Sequence, residues 1–133
     1  MTKQISLMGV EVTVRAGAAD TAGAVSILEQ TAAPGAGSPL HTVPASKVLV
    51  ALVGELVVRV GETERTVTGG DSVFIPAGTP HYFRNAGTTP ARLVMVLVPG
   101  GHEAFLAELA IAARGSDRAA MRAACEAHGV VML

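Results

Sequence analysis

The chain contains no tryptophan, one tyrosine and three phenylalanines among 133 residues. So few rings exclude a stacking platform for nucleic acid or carbohydrate. One cysteine, Cys125, excludes an internal disulfide and fits a reducing compartment. In a tail helix that thiol reads as a small apolar filler rather than a nucleophile. A formal net charge of −1 leaves no basic field for nucleic acid. No apolar run approaches the ~20 residues of a membrane span, so no membrane partner is expected. The opening Met-Thr-Lys-Gln-Ile-Ser lacks an apolar export core, and the expected location is the cytoplasm. Lysine is also scarce: Lys3 and Lys47 stand against eight arginines. A lysine inside a motif is therefore pointed.

Half of the residues are hydrophobic, ample for the core of one domain. Residues from about 8 to 99 read as short strands broken by Gly/Pro turns. Val10–Val14 alternates apolar and polar residues, Ala16–Ala22 reads as a loop, and Ala24–Thr31 returns to strand character. Lys47–Val60 is rich in Val and Leu, with Gly54-Glu55 as a hairpin turn. Further strands are expected at Arg65–Thr68, Ser72–Ile75, His81–Arg84 and Ala91–Val98. That series predicts an all-β barrel or sandwich. From about residue 101 to 133 the pattern turns helical, with one helix over Glu103–Ala113. A second runs from Asp117 to His128, with Ser116 as its N-cap and Gly129 as its stop. This tail reads as a lid, brace or dimer contact, its end Val130–Leu133 apolar and His102 and His128 on the surface.

Two spaced motifs carry the functional reading. Gly70, Pro76, Gly78, His81 and Asn85 follow one pattern in full. Gly35, His41 and Gly54 follow a second, in which Val43 stands for a histidine and Lys47 for a glutamate. Together they resemble the cupin superfamily, and the match spans residues ~20 to 99. The flanking segments resemble small bacterial cupins related to quercetin dioxygenases. The resemblance implies a cupin jelly-roll β-barrel with a short α-helical C-terminal tail, a site inside the barrel and a homodimer. Exposed strand edges supply a physical motive for that dimer.

A complete cupin holds a transition metal with three imidazoles and a carboxylate. His41, Val43 and Lys47 share strand parity, so all three should point inward, with His81 approaching from a neighbouring strand. Two imidazoles without an anionic partner, beside a lysine, make a poor divalent site. No cofactor is therefore expected. A weakly held divalent metal would use His41 and His81 and need a recruited carboxylate, for which Glu29 is the candidate; the alternative reading of Glu29 is a solvated strand residue. Lys47 either snorkels to the barrel mouth or fills the vacated position, paired with Glu29 or a bound anion, or is a functional amine of lowered pKa. His41 and His81 are polar hooks, an acid–base pair, or side chains satisfied by Lys47, water or each other. Phe83 shares parity with His81 and is the aromatic expected on the pocket wall. Two functions follow. One is a metal-free cupin binding an acidic or carbonyl small molecule through His41, Val43, Lys47, His81 and Phe83. The other is an enzyme. It is either metal-independent, with Lys47, His41 and His81 catalytic on a carbonyl substrate, or a residual metal-dependent dioxygenase or isomerase.

Overall fold

A computed structural model describes residues 3–133. The predicted alternation builds two antiparallel sheets. The first runs in the order β1 (Lys3–Leu7), β2 (Val10–Ala16), β3 (Ser26–Ala32), β10 (Ala91–Val98), β5 (Ser46–Val53) and β8 (Ser72–Ile75). The second runs β11 (Val131–Met132), β4 (His41–Thr42), β9 (His81–Asn85), β6 (Glu55–Val60) and β7 (Thr63–Thr68). They face each other as a jelly roll. Between them lie Leu28, Leu49, Leu56, Ile75, Leu93 and Leu97, all essentially without exposure. Each such side chain stabilises the fold by roughly 1.5–3 kcal/mol relative to leaving it in water.

Several expectations need correction. The strand region begins at Lys3 rather than near residue 8: β1 pairs with β2 through a turn at Met8-Gly9, both residues at positive φ. A short helix α1 (Ala18–Thr21) occupies the predicted loop. Gly54-Glu55 is not a hairpin turn. β5 pairs with β10 and β8, whereas β6 pairs with β7 and β9, so Gly54 turns a corner between sheets. Its φ is +87°, and a Cβ there would stand 3.0 Å from Ala91 Cα and Cβ. Position 54 therefore demands glycine on two counts.

The tail forms α2 (His102–Arg114) and α3 (Arg118–His128), which pack together, with α2 against β1. The N-cap of α3 is Asp117, whose carboxylate accepts from Ala120 N at 3.0 Å, and not Ser116. Gly129 ends the helix, and the apolar end beyond it becomes β11, paired with β4. Glu103 anchors the start of α2, accepting from Ser26 Oγ at 2.6 Å and Ala18 N at 2.7 Å. The tail thus closes one end of the barrel. No helix among the described residues is long and apolar enough to cross a membrane.

Candidate functional site

The barrel and tail border a partly open cavity of about 600 Å³. Its polar wall comes from separate elements: Gln30 on β3, His41 on β4, Lys47 on β5 and His102 at the start of α2. Burial alternates without a break from His41 through Ala51, although the chain leaves the second sheet after Thr42 and enters the first at Ser46. His41, Val43 and Lys47 are all buried, at 5, 2 and 4% exposure. They do not share one strand. Lys47 instead reaches the histidines from the opposite sheet.

His41 and His81 are register partners on β4 and β9, with ring centroids 4.4 Å apart. His41 Nδ1 lies 2.6 Å from Pro39 O, and His81 Nδ1 lies 2.8 Å from Thr79 O. A carbonyl only accepts, so both Nδ1 atoms carry the proton and Nε2 keeps the lone pair. His81 Nε2 accepts from Lys47 Nζ at 2.8 Å. His81 itself is buried behind Lys47, while Phe83, two residues on, lies on the cavity wall. Gly37 lets the neighbouring loop pass against β9: a Cβ there would fall 1.9 Å from Phe83 O.

Burial alone pushes Lys47 down to about 7 from an ordinary 10.5. Burial, and then the Lys47 charge, lower His41 to about 4 and His81 to about 3. Both imidazoles are neutral at pH 7. Among the described residues no carboxylate lies within ion-pair distance of Lys47, and no three His, Cys, Asp or Glu side chains converge to hold a metal.

The remaining site expectations divide. Val43 lies off the cavity wall, packed beneath the tail with Phe105, Leu109, Ala124 and Val130. Glu29 is no partner for Lys47. It faces outward, its oxygens 3.3 Å from Arg15 Nε and 2.8 Å from Arg92 Nη2. The Arg92 bond first, then Arg15, hold its carboxyl below the usual range. His102 is half-buried rather than on the open surface. It lines the cavity and stacks on Phe105 at 5.3 Å, and burial, then the nearby Lys47 charge, hold it well below its ordinary pKa. His128 is half-buried, 3.1 Å from Glu108.

Sequence reasoning missed Gln30 and His102. Gln30 shares parity with the buried Leu28 and Ala32, and His102 sits one helical turn before Phe105. Both signals were available. Cys125 also reaches the wall, half-buried in α3.

The cupin domain model matches residues 28–97. An oxalate oxidase in complex with glycolate is similar at 29% identity with a TM-score of 0.61, over 71% of this chain and 55% of that one. The chain thus spans about half of that relative. A protein from Thermus thermophilus is similar at 31% identity and TM-score 0.57, over 74% of this chain and 83% of that one. An RmlC-like cupin from Shewanella frigidimarina shares the fold at 20% identity and TM-score 0.66, over 77% of this chain and 88% of that one. A search of curated proteins finds no match. The matched segment is more than half of the chain and holds His41, Lys47 and His81, so the chain belongs to the cupin family.

Proposed function

We propose that this chain is a small-molecule-binding cupin that works without a metal, its ligand an acidic or carbonyl compound. The observation that carries the reading is Lys47 Nζ, 2.8 Å from His81 Nε2, at the motif position of a carboxylate ligand. Two imidazole lone pairs and an amine, with no anionic donor, do not suit a divalent ion. A protonated Lys47 would repel one by several kcal/mol at an effective dielectric of ~20. The same ammonium would attract an acid or an enolate. The glycolate bound to the related oxalate oxidase is a small acid, which agrees with that preference.

An enzyme is the second reading, favoured by the lowered pKa of Lys47. A neutral amine adds to a carbonyl carbon, and loss of water gives an imine. His81 is a weak base for that step. Burial lowers both groups, and the Lys47 charge lowers His81 further, so the shared proton favours the lysine. His81 therefore orients Lys47 more than it deprotonates it, and binding leads over catalysis.

A homodimer is part of the proposal. Val48 and Phe74 are register partners on the outer face of the first sheet, 36 and 61% exposed, and Phe74 lies on the edge strand β8. A reducing, cytoplasmic setting is proposed on Cys125, a free thiol at the cavity wall.

Elemental analysis of the purified protein tests the metal-free reading. We expect no stoichiometric transition metal, and Lys47→Glu is expected to introduce divalent-ion affinity by adding a carboxylate beside His81. A full equivalent of metal in the unaltered protein would defeat the reading.

A further inference from the structure

We propose that the cavity takes an amphipathic monocarboxylate, its acid head at Lys47 and its apolar body against the tail helices. This deepens, and rests on, the binding reading above. The polar groups gather at one place: Lys47 bonds His81, His81 stacks near His41, and His102 shares the cavity wall with His41 and Lys47. Much of the remaining wall is apolar, including Phe105, Leu106 and Leu109 of α2 and Met121 of α3. Arg122 and Glu126, exposed one turn apart on α3, stand at the cavity's outer margin.

Charge fixes the head group. Lys47 is the one cation buried in this wall, and among the described residues it has no carboxylate partner. An unpaired buried charge is costly, and one ligand carboxylate relieves that cost. A second carboxylate would find no second buried cation: the other buried polar groups of the wall are Gln30 and neutral imidazole, and Arg122 is exposed at the margin beside Glu126. Volume fixes the body. A water molecule takes ~30 Å³ of liquid, so about 600 Å³ equals roughly 20 waters. A two-carbon acid would leave most of that apolar space unfilled. By the same measure a body on the order of ten non-hydrogen atoms takes up about half of it and one of about twenty fills it, within the ordinary ligand-site range of ~300–1,000 Å³.

The experiment is calorimetric titration of the full chain with acetate, oxalate, octanoate, decanoate, decanol and decanal, each in two buffers of different ionisation enthalpy. Decanoate should bind at least about tenfold more tightly than decanol and than acetate. Near pH 8 its binding should take up protons, because a carboxylate restores the charge of Lys47. His41 and His102 face the same space and His81 lies behind Lys47, but all three titrate lower, and Glu126 and Arg122 are solvent-exposed. Lys47→Met should erase the preference for acid over alcohol, and Leu106→Trp should weaken decanoate more than octanoate by shortening the apolar end. Equal affinity for decanol and decanoate, or tighter binding of oxalate or acetate, would overturn the proposal. Decanal binding alone, trapped by borohydride on Lys47, would also overturn it while leaving the binding reading standing. No binding by any acid or carbonyl probe would remove both.

Discussion

Lys47 carries its own signature in a pH titration. Its folded pKa is about 7 against an ordinary 10.5, so between those values the unfolded chain binds the extra proton. Stability therefore rises as pH rises through this window, by up to about 1.4 kcal/mol per pH unit. Denaturant unfolding at pH 7 and pH 9 should show that increase, and Lys47→Met should remove it. An unchanged slope in the variant would mean that Lys47 is solvated and charged in the native state. His41 and His81 act in a separate window. Their folded values, about 4 and about 3, lie below 6.5, so the stability they contribute is complete above 6.5 and is lost as pH falls toward 4. Much of this was legible in the sequence, because parity marks residues 41, 43 and 47 as inward. What parity could not tell is what an inward side chain meets. Val43 meets the tail helices and Lys47 meets His81, and both contacts depend on a crossover between sheets.

At the level of elements, the corner at Gly54 and the cap of α3 make different predictions. Gly54→Ala forces a side chain into positive φ and against Ala91, so it should destabilise by more than the about 1 kcal/mol typical of a glycine's conformational preference alone. Asp117→Ala removes a single capping bond and should cost about 1 kcal/mol. Thermal unfolding of the two variants should rank them in that order, and Ser116→Ala should be nearly silent. Most strands announce themselves through alternation and Gly/Pro punctuation. The corner does not, since a glycine at positive φ serves a hairpin and a sheet-to-sheet turn equally. Nor does β11. Val-Val-Met-Leu has no period of its own and becomes a strand only because β4 offers an unpaired edge beside Thr42 and His41. His102 was obscured in the same way, because its helix meets the cavity only once Glu103 is fastened to Ser26 and Ala18.

For the whole molecule, the outer face of the first sheet bears on assembly. Phe74→Asp places a charge at the centre of the Val48–Phe74 pair and should shift the proposed dimer toward monomer in sedimentation experiments, with little change in the unfolding midpoint. A monomeric parent protein, or a Phe74→Asp dimer as tight as the parent, would refute that interface. The bond from Lys47 to His81 runs the other way, inward, and joins β5 of one sheet to β9 of the other. It therefore measures the width of the barrel. A ligand that wedges the sheets apart, a core substitution that lets them settle closer, or thermal breathing of the tail would each alter that one 2.8 Å contact. The nitrogen resonance of the Lys47 amine should then act as a built-in gauge, reporting motions of the barrel that leave no mark on its surface.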